Sequence, residues 1–423
     1  MATVSAKYGP EKKVNLPRLR PESRLSDFLV YGMLNSPEVE AAYHDWITAV
    51  EKITGERSLP DPRLTLQADI AQMVTSLMPG AMFDLSAVGK LKARADVQSA
   101  ESFAKYYEFE SAVYKTAFNI KRSYYQLYFL EEKTKVNQRI LELLKDLEEI
   151  ARRRNELSLG SLDDVLRIQI EEERLKTEIA NLEESRKSLL AQFKAALGIR
   201  PDRPDPPIPA SFQTTSLTLR EDALLKAALK KNPSIKALEA QIESAKAQIH
   251  LANQAKIPDL SAGVEVDVRA SPKMWRPQLG LTLPIWRDKI KADIAAAESK
   301  KKSAEARRKQ AQIELAAAIA ERLFMYREAT LTGNTLSQQL IPRAQQALDI
   351  SRADYSAGKA QFLSVIENLK LLYSMELERV EANTRRELAL AELELLVANV
   401  SPPGAPLLSE TQQRALVSNQ QRN

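Results

Sequence analysis

Ile140, Leu143, Leu144, Leu147 and Ile150 recur at steps of three and four, the spacing of a helical apolar stripe. After Gly160 the stripe resumes with Leu166, Ile170, Leu175, Ile179, Leu182 and Leu189. No proline interrupts Gly80–Arg200, and Gly160 is the only glycine between Gly89 and Gly198. The pattern predicts a helix over about 94–156, a turn at Gly160 and a return helix, an αα-hairpin. At 1.5 Å per residue the first helix runs about 90–95 Å, which places its turn far from wherever the helix starts.

A different period governs 259–286. Leu260, Ala262, Val264, Val266 and Val268 alternate with Ser261, Gly263, Glu265, Asp267 and Arg269. Ala270-Ser-Pro272-Lys273 then makes a turn, and Leu279, Leu281, Leu283 and Ile285 alternate with Gln278, Gly280, Thr282 and Pro284. Period two is the signature of strands with one apolar and one polar face. A noisier version occupies about 62–92: Leu64, Leu66, Ala68 and Ile70, then a segment near Met82–Val88.

The whole arrangement occurs twice. Pro37 is echoed by Pro233, Pro60 by Pro258, Asp96 by Asp293 and Gly160 by Gly358, at offsets of 196 to 198 residues. The chain divides accordingly into an extended segment (1–23), a first repeat (24–199), a Pro-rich linker (200–215), a second repeat (216–401) and a tail (402–423). Strands of about 9–11 residues suit a tilted membrane β-strand. Two hairpins cannot close a barrel, and an open sheet leaves edges bare. Three chains of four strands would close an even, twelve-stranded barrel.

Composition narrows the chemistry. With no cysteine and only His44 and His250, the chain has no thiolate, no Cys-ligated zinc and no ordinary histidine triad. No nucleophile–base pair or glycine-rich loop offers an enzyme, so catalytic residues and cofactors are not expected. The charge of +5 is a small excess of 61 basic over 56 acidic residues, a solvated helix surface and not a nucleic-acid patch. Residues 1–7 lack the apolar core of a secretory signal.

With these motifs in order, the chain resembles TolC-type outer-membrane efflux proteins. The resemblance rests on the duplication, on Tyr355-Ser-Ala-Gly358 followed by Val365-Ile366-Glu367, on Asn232-Pro233, and on Gln278-Leu-Gly-Leu-Thr-Leu-Pro284-Ile-Trp286. It covers about residues 24–401. Leu59-Pro60-Asp61-Pro62, Gly89-Lys-Leu91 and Ile341-Pro342-Arg-Ala344 further resemble the heavy-metal branch. The family implies a homotrimer whose helical hairpins form a periplasmic α-barrel, continued by the β-barrel in outer-membrane lipid. It implies an exit duct, passive to metal ions or small toxic compounds, joined through a periplasmic adaptor to an inner-membrane pump of the resistance-nodulation-division type. A soluble coiled-coil scaffold is the competing reading, and it leaves the alternating inserts unexplained.

The resemblance locates a periplasmic tip and gate at Gly160, Asp163, Asp164, Tyr355, Gly358, Lys359, Ser364 and Glu367. Gly160 and Gly358 are expected to supply the positive φ of the two turns, the first turn two residues shorter than the second. Asp163 and Asp164 follow Ser161 at a helix start, where they cap the helix or contribute to an acidic ring. Ser364 and Ala360 stand where well-known relatives carry an acidic and a basic residue. In the barrel, Val264, Val266 and Leu281 should face lipid, and Glu265, Asp267, Arg269 and Thr282 the lumen. Trp275 and Trp286 flank the second hairpin as interface aromatics. Met73, Met78 and Met82 read as lipid-facing or packing residues or as a soft path for copper, and His44 and Trp46 as packing or a hydrogen-bonded contact.

Overall fold

The computed structural model describes residues 16–70, 74–86, 88–208, 217 and 220–397. In chain order the first repeat holds α1 (Leu25–Asn35), α2 (Pro37–Arg57), β1 (Arg63–Ile70), β2 (Val74–Leu85), α3 (Val88–Glu156) and α4 (Leu162–Ala196). The second holds α5 (Glu221–Lys231), α6 (Pro233–Gln254), β3 (Asp259–Asp267), β4 (Met274–Thr282), α7 (Arg287–Thr335), α8 (Ile341–Ser356) and α9 (Phe362–Val397). The element order is duplicated, as the motif offsets predict. In the second copy the long helix passes through a π-helical turn, Leu336–Leu340, just ahead of Pro342. Proline has no N–H to donate and crowds the carbonyl a turn earlier, which the wider turn relieves.

The packing units cut across the repeats. One comprises α1, the C-terminal part of α3, α4, α5, the end of α7, α8 and α9. Its aromatic centre is Phe28, whose ring lies 5.7 Å from Tyr124 and 5.5 Å from Phe193. Buried Ile140, Leu144, Leu147 and Ala151 keep the 3–4 spacing along α3. In α4 the buried positions are Val165, Ile168, Leu175 and Leu182, while Leu166 and Ile170 are half exposed. The sequence stripe ran along two faces of α4, and Val165 and Ile168 mark the inward one. Lys194 is buried and donates to the carbonyls of Pro201 and Arg203 and to Asp205, holding the start of the Pro-rich linker.

The other unit comprises α2, the start of α3, α6, the start of α7 and the sheet. Trp46 stacks 6.0 Å from Phe109 and meets Tyr106 edge-on at 5.2 Å, and His44 leans on Tyr43. These are packing contacts, as read. The sheet is antiparallel throughout, in the order β1-β2-β3-β4, so β2 and β3 join the two repeats.

Strand boundaries differ from the sequence reading. β2 ends at Leu85 and α3 starts at Val88, so the first insert is shorter than 62–92. Pro79-Gly80, which looks like a breaker, lies inside β2. Pro79 pairs with Leu66 of β1, and the ladder to β3 begins only at Gly80. The missing N–H therefore interrupts little. β4 starts five residues before Leu279, at Met274, and Pro277 is tolerated there because β4 is an edge strand. β3 stops at Asp267, so Arg269 sits in the connecting bend.

Helix caps fix the segment starts. Asn232 accepts from the amides of Ser234 and Ile235 ahead of Pro233, a capped start with proline in the first turn. At the end of α4, Gly198 adopts φ +68°, and a Cβ there would lie 2.2 Å from the Asn35 carbonyl oxygen. Asn35 donates back to the carbonyls of Leu197 and Gly198 at 3.0 and 2.9 Å. Gly198→Ala should therefore combine backbone strain with a clash. A loss of roughly 1–3 kcal/mol is expected in thermal unfolding of the purified protein, and an unchanged Tm would contradict this packing.

Candidate functional site: a two-faced sheet and a double-hairpin tip

Paired residues in an antiparallel ladder share a face. Following the register from strand to strand, one face carries Leu64, Leu66 and Ala68 of β1, and Leu77, Pro79, Ala81, Phe83 and Leu85 of β2. It continues with Leu260, Ala262, Val264 and Val266 of β3 and Trp275, Pro277, Leu279 and Leu281 of β4. Among these paired positions no polar side chain interrupts it. It is also the open face, with Leu64 88% and Leu279 81% exposed. A water-soluble sheet hides such a face; this one displays it.

The opposite face carries the polar residues. Glu265 is buried, accepts a hydrogen bond from Thr65 at 3.2 Å and covers Gly80. Asp267 accepts from the amides of Arg269 and Ala270, folding the bend back on the strand end. Arg63 and Asp84 form an ion pair across β1 and β2 at 2.8 Å. Thr282 ends β4 on this face and is exposed. Met78 is buried on the same side, which favours packing, and Met73 lies outside the described residues. Trp275 is inside β4 and not beside it, near one end of the apolar face. Trp286 follows the other end, just before α7, and both are strongly exposed.

The second site lies in the helical unit, where α3–α4 and α8–α9 make their turns. Both turns have five residues, between Glu156 and Leu162 and between Ser356 and Phe362. The first is therefore not shorter than the second, and equivalent tip positions stand 200 apart. Gly358 adopts φ +75°, as expected, but its equivalent is Ser158, at φ +57°. The Leu159 amide reaches back to the Arg154 carbonyl and the Lys359 amide to that of Asp354, both at 2.8 Å. This closure puts the left-handed residue two past the helix end, whatever its identity. Gly160 matches Ala360, and its missing Cβ leaves room for Arg154, whose Cβ would lie 3.0 Å away.

Arg154, which no motif singled out, joins the two hairpins. Its guanidinium donates to the carbonyls of Tyr355 at 2.6 Å and Leu159 at 2.8 Å, and lies 4.7 Å from the Tyr355 ring centre. A cation at two helix C-termini satisfies carbonyls that have no partner within their helices. Tyr355 is buried, and its hydroxyl donates to Asp164 at 3.3 Å. Burial, reinforced by the Asp164 carboxylate, pushes its phenol up to about 12, so it stays a donor. Asp163 is exposed, paired with Arg167 at 2.7 Å, and its amide donates to the Ser161 cap. Lys359, Ser364 and Glu367 are exposed and take no part in the Arg154 contact. An open groove of about 790 Å³ runs beside these residues, lined by Leu159, Asp164, Ile170, Tyr355, Phe362 and Leu363 among others.

Among the described residues no group of acidic or histidine side chains could hold a metal ion, and no helix is long and apolar enough to cross a membrane. Residues 224–399 match the model of the outer membrane efflux protein family. Among curated proteins, none matches this sequence. Among solved structures, VceC of Vibrio cholerae is 18% identical, with TM-score 0.74 over 88% of this chain and 95% of its own. The CmeC outer membrane channel of Campylobacter jejuni is 12% identical, with TM-score 0.75 over 97% and 94%. The MtrE outer membrane channel of Neisseria gonorrhoeae, in its open state, is 17% identical, with TM-score 0.73 over 92% and 94%. At these identities the likeness is one of fold. Of these relatives, CmeC and MtrE are outer membrane channels.

The tip geometry makes a local prediction. Arg154→Ala removes charge-assisted bonds to both hairpins and should lower the opening free energy of residues 157–161 and 355–361 by about 1.5–3 kcal/mol in amide exchange. Tyr355→Phe, which loses only the Asp164 bond, should cost about 1 kcal/mol. Unchanged exchange at both turns in Arg154→Ala would contradict the bridge.

Proposed function

We propose that this protein is the outer-membrane exit duct of a tripartite efflux pump: residues 224–399 match the outer membrane efflux protein family, and nearly the whole chain shares the fold of solved outer-membrane channels. The carrying observation is the sheet: its apolar face is continuous and exposed, and its polar face holds Glu265 and Asp267. In a bilayer every backbone group needs a partner within protein, so an open sheet with two bare edges must close. Three copies joined β4 to β1 form a twelve-stranded barrel with Val264, Leu279 and Leu281 toward lipid. Glu265, Asp267 and Thr282 then line the lumen, with Arg269 at its rim, and Trp275 and Trp286 mark the two interfaces.

The helices support the same assembly. Ile313, Phe324 and Leu331 recur along one face of α7 and are all more than 60% exposed, and α7 follows directly from the bare edge strand β4. A second copy packed along α7 would cover that stripe. A soluble rod would leave both stripe and sheet in water.

At the tip, the Arg154–Tyr355–Asp164 contact holds the two hairpins of one protomer together and acts as the gate's fastening. The exposed Leu157, Leu159, Leu162 and Leu363 around it offer the docking surface for a periplasmic adaptor, which links to an inner-membrane pump of the resistance-nodulation-division type. Asp163, Asp164 and Glu367 of three chains give the mouth a negative lining, with Lys359 and Ser364 beside them. Such a mouth favours cationic cargo, metal ions or small cationic toxins, entering the duct from the periplasm.

Two tests follow. In detergent the assembly should weigh three times the 47.4 kDa chain. Val264→Arg, which sets a charge against lipid at about 2–4 kcal/mol per chain, should abolish it, while Asp267→Asn should not. A stable monomer, or equal tolerance of both changes, would sink the barrel reading. In planar bilayers, Asp163→Asn combined with Glu367→Gln, which leaves the Arg154–Tyr355–Asp164 contact intact, should lower cation conductance or shift cation preference without loss of assembly; wild-type conductance and selectivity would leave these carboxylates without a part in conduction.

A further inference from the structure

Away from sheet and tip, the helical unit buries a cluster of charge that neither the barrel nor the gate uses. Lys121 of α3 and Glu394 of α9 form an ion pair, each less than a tenth exposed. Two turns back along α9, Glu387 is 1% exposed, and neither of its carboxylate oxygens has a hydrogen-bond partner. The nearest cationic nitrogen is Arg386 Nη1, at 3.7 Å, beyond hydrogen-bond distance, and that guanidinium also lies over the Tyr326 ring of α7. The groups facing Glu387 are thus Lys121 and Tyr125 from α3, and Arg386 and Glu394 from α9. Lys121 is already committed to Glu394, so the cation left to Glu387 is Arg386, within ion-pair reach but without a hydrogen bond to either carboxylate oxygen.

A carboxylate without donors in a dry core is among the costliest groups a fold can hold, and taking up a proton removes most of that cost. Desolvation, with the Glu394 charge adding to it, raises the Glu387 carboxyl to about 7 against the opposing Arg386 and Lys121. Tyr125, buried beside the same two carboxylates, is raised as well and stays a neutral phenol.

We propose that Glu387 is a proton-operated switch on the packing of α9 against α3: protonated and locked in acid, ionised and loosened in alkali. The sign follows from linkage. The folded-state pKa lies above the unfolded value of about 4.3, so the stabilisation is complete below that value and is lost as pH rises through about 7. The switch lies where a periplasmic or external pH change would work it, and α9 begins at Phe362 in the tip turn. Any effect on conduction rests on the duct reading above; the switch itself does not, because its readouts are local to two packed helices.

The test uses the purified full-length protein. Amide exchange of residues 112–130 and 380–397, corrected for intrinsic rates, should rise by up to about tenfold per pH unit between about pH 4.3 and pH 7 in wild type and level off above that. Glu387→Gln, neutral and of the same shape, should stay slow and flat over that range. An identical pH dependence in wild type and variant overturns the proposal. Infrared titration of the wild-type protein covers the case in which the variant fails to fold. A protonated carboxyl band that disappears around neutral pH supports the switch, and complete ionisation of every carboxyl already at about pH 6 overturns it.

Discussion

β1 and β4 each present a row of backbone N–H and C=O groups to nothing among the described residues, and between them lies a face whose paired positions carry no polar side chain. Either feature alone is a liability in water: bare edges recruit other strands, and an apolar face of this extent recruits other surfaces. Together they describe a solvent. On the duct reading, lipid accepts the face and forbids the edges, and the sheet closes into a ring with its copies. The rest of the chain is consistent with that demand, from the inward-facing Glu265 over Gly80 to the exposed stripe on α7.

The helical unit answers a different requirement. Long helices need a turn at which carbonyls lose their partners, and two such turns lie side by side. One arginine, Arg154, serves both, donating across from the first hairpin to Tyr355 in the second. Because the same tyrosine reaches Asp164, the contact is a small polar network and not a single bond. Such networks hold one arrangement firmly and release it when a member is withdrawn.

Much of this was legible in the residues. The duplication showed because prolines, glycines and caps recur at a near-constant offset. The strand phase showed because β3 alternates strictly on Val264, Glu265, Val266 and Asp267. What failed to show had physical causes. Pro79-Gly80 reads as a turn unless one knows that its partner ladder begins one residue later. The tip offset of 200 was masked because Ser158, not a glycine, takes the left-handed position opposite Gly358. The inward face of α4 was misjudged because Leu166 and Ile170 are as apolar as Val165 and Ile168. Arg154 carries no motif, since its role depends on a hairpin two hundred residues away. Glu387 looked like any surface glutamate of a helix.

The claim on which the account turns is that the two bare edges meet between copies, and the absence of cysteine from the chain makes it directly measurable. Gln67→Cys on β1, combined in turn with cysteine at Arg276, Gln278, Gly280 or Thr282 on β4, samples the neighbouring registers across the seam. Oxidation in the membrane should give, for at least one pair, a ladder of linked chains that stops at three. Chains that stay single in every pairing, with the sheet intact, would show that the edges do not meet and that the barrel does not exist.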